Sequence, residues 1–312
     1  MMAEIEFSKE DLVRDLTHLG VKKGDLLNVK CSMKSIGKVH GGAKTLIDAL
    51  IEAVGPEGTI VTDSFISVFR ERKAKDKLIS DEKTPSYAGA LANAMIKHPL
   101  ARRSKHPVQK FVAIGAIADE LTLNHGPNSY AYNVLRVMCS RGGKNLKIGT
   151  DEKVVGVGTT HVAVGLMKFR QLRQVAGVYY LDESGKKRFF ERNWAGICSD
   201  GLINFVPLYE KGGAVISKGK VGNSEAKITD MRKTLEIELE ILRRDPTFFM
   251  CKKKECVQCR ATWEFDHENK LALFSKYLFS LDFRSLMKVG KFFVYKHKYY
   301  PSDEDPFPQE PD

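Results

Sequence analysis

Short apolar runs suited to strands alternate along this chain with amphipathic stretches suited to helices. Ser8 and Asp11, spaced S-x-x-D, predict a helix start, and Gly20 predicts its end. An apolar run at Leu26–Val29 predicts a strand over 25–31, and the pair Gly41-Gly42 opens an amphipathic helix over 42–54. Pro56 and Gly58 then lead into a strand over 59–65. Residues 66–86 are charged and aperiodic and read as a mobile loop or lid, because long loops in compact domains are often functional. A helix over 87–97 ends at Pro99, and a strand over 111–115 leads to a helix over 117–123. Residues 124–144 read as irregular, with a glycine pair at Gly142-Gly143. A strand over 154–157 turns at Gly158 into a helical run reaching about Arg173. Alternation around DESG predicts a hairpin over 177–193, and a helix over 229–243 stops at Asp245-Pro246. Alternating strands and helices predict an α/β fold, layered α/β/α, and the hairpin favours a mixed central sheet. The expected organisation is one domain over 1–250, a Cys-rich and basic amphipathic appendage over 251–300, and a disordered tail over 301–312.

Composition narrows the class. A chain of 312 residues, 43% hydrophobic and 29% charged, can bury a sizeable core. No stretch reaches the ~20 apolar residues of a membrane span. The start, MMAEIEFSKEDL, is acidic and polar, unlike a signal peptide, and the six cysteines do not form a disulfide framework. A cytoplasmic location is therefore expected. The net charge of +11 favours anionic partners and disfavours a polycationic one. No nucleic-acid-binding motif accompanies that charge.

Three places could carry chemistry or binding. The strand–loop–helix from Leu26 through Cys31–Gly37 to Gly41-Gly42 offers backbone N–H groups to phosphate or carbonyl oxygens. Ser32 and Ser35 add hydroxyls, Lys34 adds charge, and Gly37, Gly41 and Gly42 let backbone approach a ligand. Cys31 also invites an acyl-cysteine reading, against the bland one of a small buried thiol. The cluster Cys251-x4-Cys256-x2-Cys259, with His267 following at x7, has the spacing of Cys3His zinc; iron–sulfur ligation and free thiols are the alternatives. Finally, 271–300 mixes Leu, Phe and Tyr with lysines. It can lie peripherally on an anionic membrane, cover a partner subunit in an oligomer, or pack on its own core.

The order of the motifs adds a resemblance. GVKKGDLLNVKCSMKSIGKVHGG, TPSYAGALANAMIKHPLARRSKHP (84–107), FVAIGAIADELTLNH (111–125), VVGVGTTHVAV (154–164) and VGNSEAKITDMRKTLEIELEILRRDPTFF (221–249) resemble, in that order, the aminoglycoside 3-N-acetyltransferase family with its antibiotic N-acetyltransferase fold. The resemblance spans about residues 10–250. It implies an acetyl-CoA-dependent N-acetyltransferase, with coenzyme A held at Ser32, Lys34, Ser35, Gly37, Gly41 and Gly42, and contacts from Ser104 and Thr159. His161 matches the family's catalytic histidine, and His106, in Ser104-Lys105-His106-Pro107, is a second candidate base. The family's glutamate three residues after the histidine is Val164 here, so either another acid, such as Asp151, Glu152 or Asp63, orients the imidazole or catalysis works without one. His40, beside the glycine pair, could face the cofactor. The implied acceptor is the amine of a small-molecule amino sugar. The basic charge favours a sugar nucleotide of surface-glycan biosynthesis over an aminoglycoside antibiotic, and a non-catalytic scaffold is the alternative from another class.

Overall fold

Ser8 starts the first helix as the sequence predicts. Its hydroxyl accepts from the Asp11 N–H at 3.2 Å, and the Asp11 carboxylate accepts from the Ser8 N–H at 3.0 Å. The helix runs Lys9–Leu19, buries Leu12, Leu16 and Leu19, and ends where Gly20 turns left-handed at φ 102°. The computed structural model describes residues 6–150, 158–171, 176–192, 194, 196–254, 256–260 and 262–263, together with 275, 278–279 and 286–287.

A seven-stranded sheet organises the chain, in the order Val215–Val221, Ser224–Asp230, Lys144–Ile148, Leu26–Cys31, Thr59–Asp63, Phe111–Gly115, Arg102–Arg103. Leu26–Cys31 pairs parallel with both neighbours and the remaining pairings are antiparallel, so the sheet is mixed. Strand alternation sorts the core into two layers. Leu27, Val29, Ile60, Val112, Ile114, Leu146 and Ile148 face the helices Lys9–Leu19, Ala43–Val54 and Ala90–Ile96. Leu26, Val61, Phe111 and Ala113 face the helices Asn133–Ser140, Thr159–Leu166 and Met231–Arg244. Across this second face the buried Asn28 amide donates to Asn145 Oδ1 at 2.8 Å between adjacent strands, while Asn28 Oδ1 has no partner.

The structure departs from the sequence reading at several places. Residues 66–86 contain a turn of helix at Glu71–Ala74 and are bridged to the Gly177–Leu181/Lys187–Glu191 hairpin at Phe69–Gly177 and Ser80–Tyr180. They are tied down and do not form a free lid. The stretch 124–144 holds the helix Asn133–Ser140, whose N-terminal residue Tyr132 supplies no side-chain cap and so leaves no start signal. The helix after Gly158 ends at Leu166, short of Arg173. At the start of the segment expected as an appendage, Cys251, Cys259 and Trp263 are buried in the same cluster as Trp194, Phe205 and Phe249. The expected strand at 154–157, the tail 301–312 and most of 271–300 lie outside the described residues. Among those described, no helix is long and apolar enough to cross a membrane.

Candidate active site

Gly158 sets up the first turn of the helix Thr159–Leu166. Its φ is 74°, and a Cβ there would sit 2.4 Å from Leu135, so only glycine fits. Three residues on, His161 projects between aromatic walls. Its ring stacks on Tyr132 with centroids 4.1 Å apart and planes 6° from parallel, and Trp194 meets it edge-on at 5.9 Å. Tyr130 donates its hydroxyl to the His161 backbone carbonyl at 2.6 Å. Trp194 donates from Nε1 to His161 Nδ1 at 3.1 Å. An indole can only donate, so the neutral imidazole carries its proton on Nε2. Burial, helped by the charge of Lys30, lowers the His161 pKa to about 3 and keeps the ring neutral.

Among the described residues, no carboxylate is found hydrogen-bonded to the His161 ring. Val164 is fully buried in the core, Asp151 and Glu152 lie outside the described residues, and Asp63 is paired through Oδ2 with Lys30 at 2.8 Å. Lys30 and Asp63 sit at the C-terminal ends of adjacent parallel strands, where open α/β sheets place ligands. Asp63 keeps its buried Oδ1 without a hydrogen-bond partner, and its negative charge raises the pKa of Tyr132 and Tyr87 after burial has done so. The acid that does reach the histidine's helix is Glu238, which the sequence reading missed. Fully buried, it accepts at Oε1 from the hydroxyls of Thr159 (3.0 Å), Thr160 (2.5 Å) and Tyr209, while Oε2 has no partner. Burial pushes its pKa up to about 7, against the opposing hydroxyl bonds. Its signal was a carboxylate inside the buried stripe Met231, Thr234, Glu238, Leu242 of an otherwise amphipathic helix.

The other predicted residues divide between the site and its scaffold. His106 is fully buried; its Nδ1 accepts the N–H groups of Val108 (3.2 Å) and Gln109 (3.0 Å), and its ring stacks on His125. That is the loop-bracing role, and no contact brings it to His161. The Ser104 hydroxyl accepts from the Phe111 N–H, and the Thr159 hydroxyl is spent on Glu238 and Thr234, so neither faces a ligand as expected. Both support elements that carry the site. Cys31 is a poor nucleophile, because burial pushes its thiol up to about 12. His40 is exposed and lies 3.8 Å from Glu6.

The glycine loop keeps its expected form. Ser32 caps the short helix Met33–Ile36, accepting from the Ser35 N–H and hydroxyl, and leaves Lys34 and Ser35 exposed. Gly41 and Gly42 are left-handed, at φ 73° and 63°. Gly42 begins the 12-residue helix Ala43–Val54 with no side-chain cap and no acid in the first turn, and the space above its Cα is open. Uncapped N–H groups, the helix dipole and Lys34 together suit the phosphates of a nucleotide-bearing thioester.

The cysteine cluster gains a member from elsewhere in the chain. The sulfurs of Cys198, Cys251, Cys256 and Cys259 all lie within 4.8 Å of one another. The fourth thiol is thus Cys198, where the sequence reading had placed His267, which lies outside the described residues.

The profile of the aminoglycoside 3-N-acetyltransferases matches residues 29–243. Aminoglycoside N(3)-acetyltransferase III of a Salmonella species is 36% identical over 132 residues, covering 38% of this chain and 46% of that protein. The chain spans about half the length of the curated relatives it matches. Two solved structures share its fold. AAC-IIIb in a binary complex with CoASH aligns with a TM-score of 0.66 at 23% identity, covering 77% of this chain and 97% of that one. AAC-VIa bound to sisomicin aligns with a TM-score of 0.65 at 26% identity, covering 77% and 98%. With the family profile extending from the first sheet strand to the helix that carries Glu238, this chain belongs to the aminoglycoside 3-N-acetyltransferase family.

Proposed function

We propose that this protein transfers the acetyl group of acetyl-CoA to an amino group of an aminoglycoside-type amino sugar, with His161 handling the proton. The observation that carries the reading is the placement of His161: first turn of a helix, neutral, walled by Tyr132 and Trp194. Acetyl-CoA would supply the activated acyl thioester. Ser32, Lys34, Ser35 and the free N–H groups at the start of Ala43–Val54 would hold its phosphates and pantetheine arm. The attacking amine must lose a proton as the C–N bond forms. Because Nδ1 of His161 is the nitrogen with a lone pair, the proton goes there, and the amine's N–H replaces that of Trp194.

For the acceptor, the aminoglycoside reading has more support than the sugar nucleotide expected from net charge. Net charge does not fix the field in one cleft. The partner-free Oδ1 of Asp63, whose charge reaches Tyr132, suits an ammonium group, and AAC-VIa of the same fold binds sisomicin. Thiol release from acetyl-CoA, with mass analysis of the product, tests the proposal. Acetylation of gentamicin-type aminoglycosides is expected. Release with amino-sugar nucleotides alone would overturn the acceptor, and no release with any amine would overturn the transfer itself.

A further inference from the structure

The four clustered thiols come from two separate parts of the chain. Cys198 precedes the short helix Ser199–Leu202, four residues after Trp194, whereas Cys251, Cys256 and Cys259 belong to the segment after Met250. All are reduced thiols. The Cys198 and Cys256 sulfurs are 3.7 Å apart. A tetrahedron built on ~2.3 Å metal–sulfur bonds has an edge of about 3.8 Å. Polynuclear iron–sulfur clusters bind their thiolates on different irons and hold them further apart. The backbone is arranged to support sulfur ligands as well. Cys256 and Cys259 sit on one turn, closed by the Cys259 and Arg260 N–H groups bonding to the Cys256 carbonyl. The N–H of Cys251 donates to the Cys259 sulfur at 3.3 Å, the kind of donor that stabilises a thiolate. Exposed Lys252, Lys253 and Lys254 supply positive charge beside a centre that four thiolates and one divalent ion would leave doubly negative.

We propose that Cys198, Cys251, Cys256 and Cys259 form a mononuclear tetrathiolate zinc site that fastens the C-terminal knuckle to the loop carrying Trp194. The structure gives the site that purpose. Gln258, inside the knuckle, donates to the Gly196 carbonyl at 2.9 Å, and Gln171 donates to the same oxygen at 2.7 Å. Trp263 packs on Trp194 with centroids 6.0 Å apart. The inference stands on the cysteine geometry and does not depend on the acyl-transfer reading.

The test uses the full chain purified without chelators. Elemental analysis should find about one zinc per chain. A mercurial titration followed with a chromophoric chelator should release the zinc as four thiols react. Substitution with Co²⁺ should give the visible d–d bands of a tetrahedral thiolate site. Cys198→Ser should lose most of the zinc, while His267→Ala should keep it. If Cys198→Ser does not fold, the wild-type cobalt spectrum and thiol count still decide the matter. Protein free of metal, iron with a visible chromophore in place of zinc, or zinc lost from His267→Ala would each overturn the proposal.

Discussion

Trp194 donates from Nε1 to Nδ1 of His161 across 3.1 Å, so an indole occupies the nitrogen that a carboxylate would otherwise orient. A carboxylate partner accepts from the imidazole and raises its basicity. An indole donor binds the lone pair and stabilises the neutral form. That sense agrees with burial and Lys30, which already hold the His161 pKa low. Trp194→Phe keeps the aromatic wall and removes only the donor. One hydrogen bond contributes ~1 kcal/mol, about 0.7 of a pH unit. The acidic limb of kcat/KM, and the His161 titration followed by NMR, should both move upward by roughly that amount. A limb that stays in place would show that the indole does not control the imidazole.

His161 and His106 should separate cleanly. His161→Ala should lower turnover by roughly 10²–10⁴-fold, the usual worth of general base catalysis, with coenzyme A affinity little changed. His106→Ala leaves the buried N–H groups of Val108 and Gln109 without their acceptor and should cost about 1–3 kcal/mol of stability, with kcat near wild type. Steady-state kinetics beside urea melts check both. An inactive but stable His106 variant would put the base in the wrong place.

What could be read from the sequence follows from what is local. The capping box at Ser8, the glycines at 41, 42 and 158, and the place of His161 in the helix turn after Gly158 are fixed by neighbours a few residues away. The partners of His161 are not. Trp194 arrives from 33 residues downstream, and Cys198 meets Cys256 across 58 residues, contacts that no spacing rule encodes. The hairpin Val215–Val221/Ser224–Asp230 escaped notice for another reason. Its outer face carries Lys218, Lys220 and Lys227, and this charge at the sheet's edge hides the strand pattern. Glu238 was visible in its buried stripe, but a lone carboxylate there has meaning only once Thr159, Thr160 and Tyr209 surround it.

Glu238 should make the protein less stable as pH rises. Its folded pKa, about 7, exceeds the ordinary 4.5, so the folded state binds the extra proton between those values. Its contribution is present in full below 4.5 and is lost as pH rises toward 7. His125 works in the other sense: its folded pKa is about 3 against 6.5, so its contribution is present above 6.5 and is lost on acidification. Glu238→Gln removes the alkaline loss and leaves the acid one. Urea melts at about pH 5 and about pH 8 should show the variant gaining on wild type only at the higher pH. Parallel losses in both proteins would mean that Glu238 is already ionised at pH 5.

Coenzyme A should raise the melting temperature, because a ligand that binds only the folded state stabilises it by mass action. Lys34→Glu places negative charge beside the proposed phosphate seat and should weaken that shift, most strongly at low salt. Lys253→Glu, at an exposed lysine paired with Asp200, should not weaken it. An unmoved melting curve in saturating coenzyme A would remove the basis for the cofactor loop.

The proposed zinc site and the histidine should be coupled through Trp194. If the metal fixes Cys198, its loss frees the chain four residues from the indole and slackens the Trp194–His161 bond. Cys256→Ser should then reproduce the upward shift of the acidic kcat/KM limb seen with Trp194→Phe, although Cys256 makes no contact with the imidazole. The double variant decides between coupling and general loosening. When two changes act through one bond, the second adds nothing once the first has removed it. Cys256→Ser should therefore shift the limb in the wild-type background and leave it unmoved in Trp194→Phe. Equal shifts in both backgrounds would mean that metal loss disturbs the site by another route, and no shift in either would mean that the knuckle stabilises the fold without reaching the histidine.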